Sequence, residues 1–444
     1  MKIKPMLAFF TPLALTATLV TITHTLFNAG LGRLDEPEIY ISAFAVAKSL
    51  MHLFESPISM LRQTYSTLVV DQDSMAKVRR FCTWLIIATA AAFAVFIYSP
   101  LSYQVLTKTM NLSGKTLAAA VVILRILFFF PIFSAIRNYF QGILIKFKAP
   151  RLITLSTIGR MIYVSLFVLV IDRIAFVPGS ALAGLMFLTA LLVELSIDVI
   201  GTRILIGRPK TKILELNQLS KPEPVPDLTY RTILSFIGPL IIMGLIRSLG
   251  TPIVNAGLGQ TVTPEIALSA YAVGWGLGSI CISPLGSFHQ IPISFMGTPN
   301  GTRRQIQRFG LAVAAFFALI IALMGYTGLG RFLLEHWIQA PAEIIEPALG
   351  VIRWKVILPF FVIVREFYWG MLMYERKTKY VSWGKVVNVL TLTGAVFAAS
   401  RLNLANPALV GVFGMLACEL TEIIFLFFIS KYERSAYTQR SSVV

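Results

Sequence analysis

Asn28-Ala29-Gly30-Leu31-Gly32 returns later in the chain as Asn255-Ala256-Gly257-Leu258-Gly259, and Phe10-Thr11-Pro12-Leu13 as Ile237-Gly238-Pro239-Leu240. Pro37-Glu38-Ile39 recurs as Pro264-Glu265-Ile266, and Ser56-Pro57 as Ser283-Pro284, every pair 227 positions apart. Further on, Arg125, Pro131, Arg137 and Gly142 return as Arg353, Pro359, Arg365 and Gly370, now 228 apart. The chain is a tandem duplication, so its fold is decided by what one half builds. In a membrane protein such a repeat builds two bundles that enclose a substrate path.

Working outward, the composition is 56% hydrophobic and 14% charged, against roughly 25% charged in a soluble domain. Too few charges remain to cover a water-facing surface. Long apolar runs such as 81–98, 311–324 and 409–429 each approach the roughly 20 residues that a helix needs to cross a bilayer. Read with the repeat, they give six spans per half. The first set lies near 7–27, 40–68, 81–100, 117–145, 152–172 and 180–205; the second near 232–255, 266–296, 309–328, 345–373, 380–400 and 406–430. This predicts an all-α integral membrane protein of twelve transmembrane helices in two parallel-repeat six-helix bundles. The expected division is 1–206, a Pro-rich cytoplasmic linker 207–230, then 231–430 and a tail 431–444. Lys2 and Lys4 before an apolar run imitate a signal peptide, but the internal copy at 232–255 makes the first span a permanent one.

Net charge is +18, and Lys and Arg crowd alternate loops, for example Lys77, Arg79 and Arg80, or Arg303, Arg304 and Arg308. By the positive-inside rule these loops and both termini are cytoplasmic, in a plasma (inner) membrane protein. The excess is a topology signal that needs no nucleic-acid partner. Cys82, Cys281 and Cys418 show no metal spacing and read as buried small hydrophobes. No His-Glu-x-x-His, Gly-x-Ser-x-Gly or complete P-loop occurs, since Thr109 stands where the leading glycine before Gly114-Lys115-Thr116 should be. The chain reads as a non-enzyme with no metal or cofactor, and as a monomer whose partners are the lipid bilayer and a small anion.

Charges left inside the spans carry the chemistry. An Arg or Lys at mid-membrane costs on the order of 2.5–3.5 kcal/mol, so such groups face a cavity, pair internally or snorkel to an interface. Arg203 snorkels by its position near a cytoplasmic end, and Arg160 and Lys385 read the same way. On the second span Lys48, His52, Glu55, Ser59 and Arg62 fall at steps of three and four, a polar stripe on one helical face. Ser134, Arg137, Asn138 and Gln141 make another on the fourth. Arg62, Arg137, Arg247 and Arg365 are the expected anion ligands, because guanidinium groups present paired donors to phosphate and carboxylate oxygens. Lys48, Asn255 and His289 join them as substrate-binding candidates. Internal pairing of Lys48 or Arg62 with Glu55 is the competing reading. Arg365 and Glu366 are neighbours about 100° apart on a helix, so no salt bridge between them is required.

Asn28 and Asn255 read as helix C-caps. Glu55, Glu194 and Glu422 are candidates to carry a coupling proton; the 227 offset pairs Glu194 with Thr421, so Glu194 and Glu422 are only roughly equivalent. Pro57, Pro131, Pro284 and Pro359 recur in both halves, with Pro12 and Pro239, and mark kinks or hinges. Under the same offset Lys48 corresponds to Trp275 and Arg62 to His289, which places the expected substrate off-centre, against the first half.

Several ordered stretches resemble the progressive ankylosis (Ank) family: Ser49-Leu50-Met51 with Phe54 and Pro57, Pro131 with Gly142-Ile143-Leu144, Pro252-Ile253-Val254-Asn255, and Pro359, Arg365 and Gly370 with Leu372-Met373. The family belongs with the multidrug/oligosaccharidyl-lipid/polysaccharide (MOP) exporters. The resemblance implies two six-helix bundles arranged as a V around a central cavity, as in MATE-like members. It also implies export of anions such as pyrophosphate, nucleotide triphosphate or citrate, with Pro57, Pro131, Asn255, Pro359 and Arg365 carried over and Arg365 as an anion contact. The chain lacks the long charged tail of the animal members. The alternatives kept open are a flippase for a lipid-linked diphosphate cell-wall precursor and a multidrug cation exporter. A membrane-embedded enzyme would need clustered carboxylates or histidines that the spans lack.

Overall fold

The computed structural model describes residues 4–69, 71–147, 149, 151–174, 177–207, 228–297, 302–375 and 377–441. Among them the regular structure is helical throughout. The first half holds α1 (Lys4–Leu31), α2 (Pro37–Ser59), α3 (Leu61–Leu68), α4 (Gln72–Tyr98), α5 (Gly114–Leu127), α6 (Phe130–Lys146), α7 (Arg151–Val170) and α8 (Gly179–Leu205). The second holds α9 (Tyr230–Ser248), α10 (Gly250–Gly259), α11 (Pro264–Ile282), α12 (Gln290–Phe295), α13 (Arg303–Tyr326), α14 (Ala342–Lys355), α15 (Leu358–Tyr374), α16 (Thr378–Ser400) and α17 (Leu409–Ser441). Most of the expected linker falls outside the described residues, and α17 continues from the last span into the expected tail.

Among the described residues, ten segments are long and apolar enough to cross a membrane, and the pair α14–α15, bent by 44°, makes an eleventh if it is one span. The segment at the expected second span, α2–α3, is not among them. Lys48, His52 and Glu55 dilute its apolar character, which is the same feature that makes it chemically informative.

Prolines mark where spans break. Pro57 lies in the last turn of α2, and its counterpart Pro284 opens a 3₁₀ turn at Ser283–Ser287 after α11. Pro131 and Pro359 sit in the first turn of α6 and α15, just past the breaks that follow α5 and α14. A proline is tolerated in a first turn because its missing N–H has no helical acceptor there. Outside the spans, Asp71 and Ser74 form a reciprocal capping box at the start of α4. Those hydrogen bonds, the Ser74 backbone first, hold the Asp71 carboxyl below the usual carboxylate range.

The structure divides into two compact units, and they are not the two sequence halves. One comprises Met1–Ser42 with Ile253–Val444, the other Ala43–Pro252. The partition at 206 and 231 expected from the repeat therefore differs from the packing by an exchange of first spans. The cause is visible in the cores. Phe10 of α1 lies edge-on to Phe288 and Phe309, with ring centroids 6.1 and 6.2 Å apart. Its counterpart Ile237 of α9 is buried with Leu61, Tyr65 and Val78, and position 61 is the counterpart of Phe288. Each repeat's first span thus covers the same apolar patch, but on the unit built by the other repeat. The three cysteines are buried and free.

A duplicated close crossing fixes the polar elements. A Cβ on Gly142 would sit 2.7 Å from Tyr65 Cβ and 2.8 Å from the Arg62 carbonyl oxygen. On Gly370 it would collide with the His289 carbonyl oxygen and lie 2.8 Å from Pro292. Gly142 matches Gly370, and Arg62 matches His289, so the same helix-on-helix contact occurs in both repeats. Because the obstructing atoms include backbone, Gly142→Ala and Gly370→Ala should each cost about 1–3 kcal/mol through overpacking. Gly394→Ala, where nothing lies within 4 Å of the new Cβ, should be neutral or stabilising. Thermal unfolding in detergent compares the three, and an unshifted midpoint for Gly142→Ala contradicts the close crossing.

Candidate functional site

In the unit Ala43–Pro252 the two polar stripes read from the sequence meet. The Ser134 hydroxyl on α6 donates to Glu55 Oε1 at 2.7 Å and accepts from Arg137 Nη2 at 3.2 Å. His52 Nδ1 lies 3.8 Å from Glu55 Oε2. Arg137 Nη1 and Arg160 Nη1 converge on Glu194 Oε2 at 3.3 and 2.7 Å. Gln141 is the hub: its Nε2 donates to Glu194 Oε1 at 3.2 Å and Asp198 Oδ2 at 2.8 Å, while its Oε1 accepts from Arg62 Nη1 at 3.3 Å. Asn138, buried beside them, donates to the Ile58 carbonyl at 3.0 Å where α2 ends. Lys48 Nζ stands 5.6 and 5.2 Å from the ring centroids of Phe44 and Phe187, an arrangement in which the ring faces attract the ammonium.

The charge count of this cluster is four cations (Lys48, Arg62, Arg137, Arg160) against three carboxylates (Glu55, Glu194, Asp198). Glu194 is 4% exposed and takes two guanidiniums, so it is compensated in place. Arg62 is different. It is exposed, and its hydrogen-bond partner is an amide oxygen, not a carboxylate. The competing reading, an ion pair of Arg62 with Glu55, is not what the structure has: Glu55 is engaged by Ser134 and His52. Arg160, read from its position as snorkelling, instead points inward to Glu194. Arg247 is exposed near the end of α9, without a side-chain partner among the described residues, and Arg203 is exposed at the end of α8.

The other unit holds the counterpart cluster, without the first cluster's excess of cations. Arg365 bridges Glu366, at 2.8 Å, and Glu419. The neighbouring pair that helical geometry left optional is made, because the long Arg side chain curls back to the Glu366 carboxylate. His289 Nδ1 lies 2.6 Å from Glu366 Oε2. Glu422 accepts from Trp369 Nε1 and Lys385 Nζ, each at 3.0 Å, so Lys385 is also drawn inward and does not snorkel. Here Arg365 and Lys385 serve three carboxylates, Glu366, Glu419 and Glu422, with His289 and, against Trp275, Lys355 as further basic groups.

The acids clarify the repeat. Gln141 binds Glu194, and Trp369, 228 positions after Gln141, binds Glu422, 228 positions after Glu194. The two glutamates are structural equivalents, and the 227 offset that paired Glu194 with Thr421 is corrected to 228 for these spans. A second correction concerns charge. Trp275 replaces Lys48 in sequence, yet an ammonium is supplied to it from another helix. Lys355, fully buried at the end of α14, sits 3.7 Å from the Trp275 ring centroid and donates to the Trp275 carbonyl and Ser279 Oγ, both at 2.7 Å.

The two asparagines are not caps. Asn28 lies within the last turn of α1 and donates from Nδ2 to the Ala272 carbonyl of α11 at 3.1 Å. Beside it Thr25 donates to the Gly276 carbonyl at 3.2 Å. Asn255 is buried inside α10. The Asn28 amide ties α1 to α11, and neither asparagine occupies a helix end.

With that geometry established, known proteins provide comparison. An inward-facing multidrug resistance MATE transporter of the MOP superfamily superposes with a TM-score of 0.72 at 13% identity, over 95% of this chain and 96% of that one. The lipid II flippase MurJ, in an inward closed conformation, gives 0.65 at 11% identity over 96% and 87%. A MOP-superfamily transporter from Pyrococcus furiosus, described as having a binding pocket of reverse polarity, gives 0.58 at 15% identity over 96% and 95%. At these identities the likeness establishes the fold, that of MOP transporters. The family model described as progressive ankylosis protein (ANKH) matches residues 1–255, more than half of the chain. The chain therefore belongs to the progressive ankylosis protein family.

Proposed function

We propose that this chain is a secondary transporter that exports a small polyanion, of the pyrophosphate, nucleoside triphosphate or citrate class, by alternating access. One observation carries the reading: Arg62, exposed at the start of α3, offers a guanidinium whose hydrogen bond goes to an amide oxygen and, among the described residues, to no carboxylate. Such a group holds paired donors for phosphate or carboxylate oxygens. Arg137 lies near it, and the cluster, which reaches Lys48 beside Arg160, has one more cation than carboxylate, a balance suited to an anion. Arg365, by contrast, is committed to Glu366 and Glu419, so we assign it to holding its helices. The second-half candidate His289 is likewise engaged by Glu366, which favours substrate on the first-half residues. Pro57, Pro131, Pro284 and Pro359 stand where spans already break, and flexing there is how we propose that access alternates.

Export needs no dedicated coupling ion for its direction. An inside-negative potential drives an anion outward with about 2.3 kcal/mol per charge per 100 mV. The test is counterflow in proteoliposomes: vesicles preloaded with unlabelled pyrophosphate, ATP or citrate should accumulate the labelled form of at least one. A lipid-linked diphosphate flippase would use the same guanidinium, but it would exchange none of these soluble anions. No exchange with all three therefore rejects the soluble-anion reading.

A further inference from the structure

We propose that Asp198 is a proton-binding site that loads together with the anion, linked to Arg62 through the Gln141 side chain. The inference rests on the anion-binding reading of Arg62. Asp198 is 0% exposed, and no Arg, Lys or His among the described residues lies within ion-pair distance of it. Its Oδ2 accepts from Gln141, and its Oδ1 is buried without a hydrogen-bond partner. The groups facing it are Gln141, Arg137 and Arg62 from α6 and α3, Ser156 and Arg160 from α7, and Glu194 from its own helix. Two of the three guanidiniums that face it, Arg137 and Arg160, are spent on Glu194, one turn away, and Arg62 is on the Gln141 amide. An ionised carboxylate in that position has no counter-ion of its own, so it takes up a proton more readily than the paired glutamates, while the guanidiniums that face it still permit the ionised form before an anion arrives.

The other acids lack this combination. Glu194 has two guanidiniums, Glu422 has Lys385 and Trp369, and Glu55 has Ser134 and His52. The proton comes from water and adds to Oδ1 of Asp198. With Asp198 ionised, four cations face three carboxylates; with it protonated they face two, so an arriving polyanion meets one more unit of positive charge. Gln141 supplies the physical link, since one amide holds Arg62 on its oxygen and Asp198 on its nitrogen. An anion that draws Arg62 away frees Gln141 to turn its oxygen to Asp198, and only the protonated acid can donate to that oxygen. By linkage, proton and anion then raise each other's affinity by the same factor.

The experiment uses the full chain in detergent with pyrophosphate as the probe. Proton uptake on binding is read in weak buffer with an indicator dye, and affinity by calorimetry at two pH values. Asp198→Asn fixes the neutral form and experiences the same protonation of pyrophosphate itself, so the difference between the proteins isolates Asp198. Wild type should take up about one proton more per anion than Asp198→Asn, with affinity falling up to about tenfold more per unit rise in pH. Gln141→Met should diminish that difference. Equal uptake by wild type and Asp198→Asn, with pyrophosphate still bound, overturns the coupling and leaves the anion site standing. No binding by wild type at either pH removes both. Should Asp198→Asn fail to fold, the infrared difference spectrum of wild type decides: a protonated-carboxyl band gained on anion binding supports the proposal, and its absence overturns it.

Discussion

Glu194→Gln should lower the stability of the protein by about 3–5 kcal/mol, the range seen when one partner of a buried ion pair is removed. The substitution keeps the shape of the side chain and removes only its charge. Two guanidiniums depend on that charge, Arg160 at 2.7 Å and Arg137 at 3.3 Å, with side chains 13% and 15% exposed. Gln141 also gives Glu194 one of its hydrogen bonds. After the exchange both arginines remain buried with no counter-ion in place, and the cost is that of the uncompensated charges rather than of a lost hydrogen bond. A second substitution separates these effects. Arg160→Met placed on Glu194→Gln removes one of the orphaned cations, so the double variant should unfold at a higher temperature than Glu194→Gln alone, and coupling of this kind is what a double-mutant cycle detects. Thermal unfolding in one detergent, followed by loss of the monodisperse species, makes the comparison. A Glu194→Gln midpoint equal to wild type contradicts the network.

Much of the architecture was legible because it rests on patterns local to the chain. Span positions follow from apolar runs, and the breaks follow from prolines that recur at one spacing. The stripes on α2–α3 and α6 were legible for the same reason, since helical periodicity states which residues share a face. What that periodicity does not state is what covers the face. The first spans show this: Phe10 and Ile237 are apolar in both copies, but nothing in their spacing says that each packs on the unit of the other repeat. Arg160 and Lys385 fail in the same way. Near a span end, a long cation has water on one side and a neighbouring helix on the other, and only the location of Glu194 and Glu422 decides between them. Lys355 is legible in the sequence as a charge inside an apolar segment, yet its role as the replacement for Lys48 depends on α14 meeting α11 beside Trp275. The equivalence of Glu194 and Glu422 needed the one-residue change in offset to be carried into the last span, and hydrogen bonds from the matching positions Gln141 and Trp369 supply it.

Arg62→Ala should abolish most anion binding while leaving the fold intact, and Arg365→Ala should do the reverse. The contrast follows from what each guanidinium touches. Arg62 is exposed and gives its hydrogen bond to the Gln141 amide, so its removal strands no buried carboxylate. A charge-assisted hydrogen bond contributes about 1.5–3 kcal/mol, and its loss weakens anion affinity roughly 10–100-fold. Arg62→Lys keeps the charge but not the planar pair of donors, so it should fall between wild type and Arg62→Ala. Arg365 lies between Glu366 and Glu419, with His289 on the far side of Glu366. Its removal leaves carboxylates facing one another in a buried site, and that lowers the unfolding temperature before it changes any affinity. Calorimetric titration with pyrophosphate and thermal unfolding, run on the same preparations, separate the two outcomes. If Arg365→Ala loses affinity at unchanged stability while Arg62→Ala still binds, the anion belongs on the second repeat. The excess cation of the first cluster would then need another occupant. If both variants bind as wild type does, neither guanidinium holds the anion, and Arg247, exposed near the end of α9, becomes the next residue to replace.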